Sequence, residues 1–224
     1  MPSPRLALLC FTVAIASTVS ACSSAPVASD PVPRPIGGAP STPEESDYEE
    51  LTSEAESDDG LFTVHTSDGD LYFEIPDSLL NLDMLLISRV SGVQAGMGGF
   101  LPAGAAVNRQ MVRFERAGDR ILLRKYSGEA VADDTLAIAL SVESNYFAPI
   151  LASFDIEVRS PADDASVVDV TDFFEGDTPA ISGLRPAQRR SYQVRRLDGS
   201  RSYIGRVRSY PLNVNVRHTL TYDA

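Results

Sequence analysis

Imidazole, thiolate and paired carboxylates supply much hydrolytic and metal chemistry, and this chain is sparing with them. It holds two histidines, His65 and His218, and two cysteines, Cys10 and Cys22. A zinc site needs two or three imidazoles or carboxylates converging on one ion, often with a helical pair four residues apart, as in H-E-x-x-H. The sequence has no such pair. His65 falls on the less apolar face of a strand-like run. His218 shares the apolar face of another, where a partly buried, hydrogen-bonded imidazole is the expected role. A serine nucleophile on a strand-to-helix elbow would read G-x-S-x-G, whereas the nearest pairing, Gly199-Ser200, stands in the turn-like LDGSRS. The doublets Asp133-Asp134 and Asp163-Asp164 lack the spacing of a calcium loop and fall where solvated turns are expected. Gly92, Gly96, Gly98, Gly99 and Gly104 precede no Gly-Lys-Ser/Thr, and Lys125 is the only lysine, so they read as a surface loop rather than a phosphate cradle. The residues therefore predict no catalytic group, no metal ligand and no cofactor-binding residue in this chain.

The elements that would position any such group are short and mostly extended. LFTVHT and LYFEI flank an Asp-Gly turn, with Phe62 and Val64 on one face of the first strand and Leu71, Phe73 and Ile75 on one face of the second. MLLISRVS (84–91) is nearly all apolar, which predicts a strand buried on both faces. VRFERAGDRILLRKY is a second hairpin turning at Ala117-Gly118-Asp119. Residues 134–146 fit both strand alternation and helical spacing, and a short helix is favoured, capped at Asp133 or Asp134 and ended by Pro149. ILASFDIEV and SVVDV are further strands. TDFFEGD predicts a helical turn with Asp172 as N-cap and Glu175 at the third position inside. NVNVRHTLTYD closes as one strand with Val214, Val216, His218, Leu220 and Tyr222 on a common face. The expected fold is mainly β, a β-rich α+β arrangement of about seven or eight antiparallel strands, in sheets or a sandwich, with one or two short helices.

The first 21 residues have the parts of a secretory signal: Arg5, a ten-residue apolar run from Leu6 to Ile15 that is too short to span a bilayer, and small residues ending at Ala21. Val19-Ser20-Ala21-Cys22 resembles the bacterial lipobox, which implies lipidation of Cys22 and attachment to the membrane through that lipid. Ser23 and Ser24 after the cysteine imply sorting to the outer membrane rather than inner-membrane retention. With Cys10 removed and Cys22 lipidated, the exported fold stands without a disulfide. Residues 22–58 read as an acidic Pro/Ser-rich tether: from 23 to 59 there are ten acids and one arginine. The 59–224 remainder is long enough for one domain. Its stretch from 184 to 217 carries nine arginines and one acid, read as solvated strand faces, and nucleic acid is not an expected partner of an exported chain without a recognition motif.

Several ordered segments carry a family likeness. GLFTVHTSDGDLYFEIPDSLLNLDMLLISRVS, then VRFERAGDRILLRKY, SVESNYFAPILASFDIE and VVDVTDFFEGD, and finally RRLDGSRSYI with YPLNVNVRHTLTY, span residues 59–223. Together they resemble the N-terminal domain of unknown function in exported bacterial zinc-dependent metallopeptidases. The resemblance implies a non-catalytic accessory domain that packs against or assists a downstream catalytic domain. The zinc and its H-E-x-x-H would lie in that domain, and the 224-residue chain would be a C-terminally truncated piece. The competing expectation is a free-standing envelope lipoprotein acting as a binding or structural module.

Overall fold

The computed structural model describes residues 43–95, 102–126 and 147–224. The expected signal segment, Cys22, the Asp133-Asp134 doublet, Gly96, Gly98, Gly99 and the helix expected at 134–146 lie outside the described residues. Ordered structure begins with helix α1 (Pro43–Thr52) and strand β1 (Glu56–Asp58). Residues 43–58, read from sequence as part of the tether, thus form two elements of the domain, because β1 finds a partner in β2 that composition could not announce.

One antiparallel sheet dominates. Its strands are β1, β2 (Thr63–Ser67), β3 (Asp70–Pro76), β4 (Met84–Arg89), β5 (Ala106–Ala117), β6 (Arg120–Tyr126), β7 (Ile150–Arg159) and β8 (Ala165–Asp169). They lie in the order β1-β2-β3-β8-β7-β6-β5-β4. Between β2 and β3, Asp68 (φ 51°) and Gly69 (φ 101°) both adopt positive φ, as a two-residue hairpin turn of the primed type requires. After β8 come the short helices α2 (Thr171–Glu175) and α3 (Pro186–Ser191) and strand β9 (Arg196–Leu197). The hairpin β10 (Tyr203–Tyr210) and β11 (Asn213–Thr219) follows, and β12 (Tyr222–Asp223) pairs with β9. The fold is mainly β, as the alternation predicted.

The core sits on one face of the large sheet. Leu71, Ile75, Ile121 and Val168 are wholly buried there, each worth roughly 1.5–3 kcal/mol of apolar burial. Phe173 of α2, with Ala180 and Ile181, closes over them, and Ile204, Val207, Val214 and Val216 of the β10–β11 hairpin pack against the cluster. An unbroken chain of ring contacts runs Phe114–Phe62–Phe73–Phe174–Phe173–Phe154, with centroid separations from 5.1 to 5.9 Å.

Three local expectations are corrected. MLLISR is not buried on both faces: β4 is the last strand of the sheet, with Leu85 55% and Ile87 40% exposed, since an apolar run alone does not tell a central strand from an edge. The N-cap of α2 is Val170, not Asp172, which lies in the first turn; Asp169 instead accepts the Thr171 N–H at 2.8 Å. Glu175 turns away to accept the Ile204 N–H at 2.9 Å, joining α2 to β10. The terminal run divides at Leu220, because β11 pairs with β10 whereas Tyr222 and Asp223 pair with β9.

Candidate functional site

The hairpin register sets Thr63 opposite Glu74 and His65 opposite Tyr72, so His65 and Glu74 are diagonal neighbours on the face away from the aromatic core. β1 brings Ser57 opposite His65, and α1 lays Tyr48 over the pair. Ser57 Oγ lies 2.8 Å from His65 Nδ1, and His65 Nε2 lies 3.0 Å from Glu74 Oε2. Tyr48 donates its hydroxyl to the same Glu74 oxygen at 3.0 Å. A ring protonated on Nε2 satisfies the whole set: Ser57 donates to Nδ1, and Nε2–H and Tyr48 donate to the carboxylate. The His65 hydrogen bond is the main cause holding the Glu74 carboxyl below its ordinary range, while burial, then Glu74, pushes the Tyr48 hydroxyl up to about 12.

Serine, histidine and glutamate in a row raise the question of nucleophilic catalysis. In a hydrolytic triad the serine bonds Nε2 and the acid Nδ1, beside a substrate cleft with oxyanion donors. Here the two ring nitrogens are used the other way round, and the large apolar groove on the opposite face is not lined by Ser57, His65 or Glu74. The arrangement is a polar staple. It fixes α1 and β1 to the β2–β3 hairpin with His65 only 2% exposed.

That groove encloses about 1400 Å³. Its floor includes Phe73, Phe114, Phe154 and Phe174, one wall is β4 with residues through Gln94, and the other runs from Leu212 to Tyr222. His218 stands in this second wall, edge-on to Phe174 at 5.9 Å, with Nδ1–H donating to the Phe174 carbonyl. Burial holds its pKa below the ordinary value, so the ring is neutral at pH 7 with Nε2 unprotonated. This is the satisfied, partly buried histidine expected from the strand pattern.

The remaining sequence candidates serve turns. Asp163 (φ 52°) and Asp164 close the β7–β8 connection: Asp163 accepts from Arg159 at 2.7 Å, and Asp164 accepts from the Ser160 hydroxyl at 2.9 Å. Arg159 also grips Asp77 at 2.8 and 2.9 Å, a contact that holds the Asp77 carboxyl low. Gly199 and Ser200 form a short helical turn in which Asp198 accepts the Ser200 N–H at 3.0 Å. Among the described residues no group of three His, Cys, Asp or Glu side chains is placed to hold a metal ion. Sequence reasoning gave no site role to Tyr48, Ser57 or Glu74. The His65–Glu74 diagonal was within reach once the Asp-Gly turn fixed the register; Tyr48 and Ser57 were not.

The site and fold define a class: an antiparallel β scaffold with a buried polar staple on one face and an apolar groove on the other. The profile of the family described as Domain of unknown function (DUF5117) matches residues 104–224, more than half of the chain, and the chain belongs to that family. A second profile, Domain of unknown function (DUF5118), matches residues 45–93. No curated protein and no solved structure gives a significant match. The two matched segments are not two structural domains. The first supplies β5–β12 and the second β1–β4, yet β3 pairs with β8 and β4 with β5, so both contribute to a single sheet.

Proposed function

We propose that this chain is the non-catalytic N-terminal region of a membrane-anchored, exported zinc-dependent metallopeptidase, held to the envelope through lipid on Cys22. The observation that carries this reading is the ordered series of family-like segments across residues 59–223. The two domain-of-unknown-function matches fall on the same stretch and are compatible with it. The zinc chemistry belongs to a downstream catalytic domain, for which this domain supplies a packing surface or folding support. Reading the gene past codon 224 tests the proposal. An open frame that reaches H-E-x-x-H supports it, and a stop codon directly after Ala224 in an intact gene overturns it.

One observation favours a second reading, a free-standing envelope lipoprotein that binds an apolar ligand: the 1400 Å³ groove with its aromatic floor. That reading requires the stop codon, together with saturable uptake of an apolar fluorescent probe that Phe114→Ala weakens. For the anchor, Cys22→Ala is expected to leave a soluble or unprocessed precursor, since acyl chains contribute about 0.8 kcal/mol per buried CH2. Detergent-phase partitioning unchanged by that substitution would remove the lipoprotein element.

A further inference from the structure

Among the described residues, β4 ends the sheet with a hydrogen-bonded neighbour, β5, on one side only. Edge strands in stable monomers are usually short, charged at the centre, bulged or covered, because their free N–H and C=O groups invite another strand. β4 is six residues long, Met84 to Ser88 carry no charge and no proline, and its pairing with β5 stays in register until a shift at Ser88/Arg89, where β5 holds the extra residue. The groove runs along it, lined without a break from Leu82 to Gln94.

The side chains of the outward face are ordered in a telling way. Asp83, Leu85, Ile87 and Arg89 alternate onto one side of the strand: Asp83 meets Arg113 of β5 there, and Leu85 and Ile87 are both exposed. The row therefore reads acid, apolar, apolar, base, symmetric about Leu86. When this strand pairs antiparallel with a copy of itself centred on Leu86, Asp83 stands opposite the second copy's Arg89 and Leu85 opposite its Ile87. The same two pairs recur on the other side of the axis. Opposite charges and large apolar side chains meeting directly across antiparallel strands are the stabilising cross-strand pairs. Asp83 remains 44% exposed beside Arg113, and among the described residues exposed Arg89 makes a 3.3 Å bond to the Gly104 carbonyl and no ion pair, so both charges have room for a second partner.

We propose that two copies of this chain pair edge to edge along β4, antiparallel about a two-fold axis at Leu86, extending the sheet across the dimer. The self-complementary row selects a second copy over an unrelated peptide, and the contact is isologous, so it closes at two. The inference does not rest on the peptidase reading.

Charge reversal tests it. Arg89→Asp leaves two acids at the ends of the row and Asp83→Arg leaves two bases, so each variant repels itself, whereas a mixture of the two restores opposite charges at both ends. Sedimentation of the full chain in mild detergent, from ~1 µM to ~1 mM, reads the result. We expect a concentration-dependent dimer for the parent chain and association weakened at least about tenfold for each single variant. Mixing should regain association near that of the parent. The lipid anchor is common to every sample, so shared micelles cannot produce this pattern. Leu85→Lys, at a half-exposed position, gives an independent break without touching either charge. With Leu86→Cys, oxidation should yield a cross-linked dimer that the unsubstituted chain, treated in the same way, does not give. A parent chain that stays monomeric throughout overturns the proposal, as does a mixture that associates no better than its components.

Discussion

At one end of the large sheet stands β1, three residues long, acidic and tied from several sides. Ser57 bonds His65, and Asp58 accepts the Ser209 N–H at 3.0 Å with Arg208 3.7 Å away. At the other end β4 is twice as long, uncharged at its centre, and turns Leu85 and Ile87 outward. Both edges come from the segment matched by DUF5118, so the contrast lies within one stretch of chain and not between two domains. It teaches that edges are protected by different means. A short charged strand held by side-chain bonds offers no template for a neighbour, whereas a long neutral one leaves its N–H and C=O row open to another strand.

The largest effect is expected from dismantling the protected edge. Glu74→Ala leaves the buried His65 Nε2–H and the Tyr48 hydroxyl without their acceptor, and should cost about 2–4 kcal/mol in urea unfolding. A loss below about 1 kcal/mol would show that the staple is peripheral to stability. The same carboxyl makes stability depend on pH with a definite sign. Its folded pKa lies below the ordinary 4.5, mainly through the His65 bond, so its contribution is present above pH 4.5 and disappears as pH falls through the lower folded value. His218 behaves likewise from a higher start: burial depresses its pKa below 6.5, so stability begins to fall as the medium drops below pH 6.5. Glu74→Gln should flatten the steeper acid limb and leave the His218 step in place. A profile that Glu74→Gln does not alter argues against the assignment.

Gly60→Ala comes next. A Cβ there would lie 2.6 Å from Tyr210 N and 2.7 Å from Tyr210 O, besides striking Ser209 Oγ, so the β1–β2 connection must move off β10. Overpacking of this kind should cost roughly 1–3 kcal/mol, and hydrogen exchange at Leu61 N–H, bonded to Tyr210 O, should quicken. Asp58→Ala removes one bond to Ser209 N–H and should cost about 1 kcal/mol, seen as a small fall in the unfolding midpoint. The smallest effect belongs to the open edge. Leu85→Lys should change the stability of the fold itself by less than about 0.5 kcal/mol while abolishing self-association, because that side chain already faces solvent. A large loss of stability in a dilute sample would mean that Leu85 is covered within one copy.

The sequence by itself determined the mainly β architecture, both tight hairpins, the apolar face of Leu71, Phe73 and Ile75, and a partly buried His218. Each follows from a period of two and from turn residues that only certain conformations accept, information carried by neighbours along the chain. Tertiary structure decided the rest. Whether MLLISR lies at the centre or the edge of a sheet depends on which strand docks beside it, and β4 joins β5 across a loop while β3 joins β8 almost a hundred residues on. The place of Tyr48 over Glu74 and of Ser57 against His65 was equally unreadable. An acidic, Pro-rich stretch signals solvation, and only an unpaired strand edge waiting at β2 turns its last residues into β1. Local periodicity fixes what a segment can be; long-range pairing fixes what it lies against, and hence which polar groups are buried together.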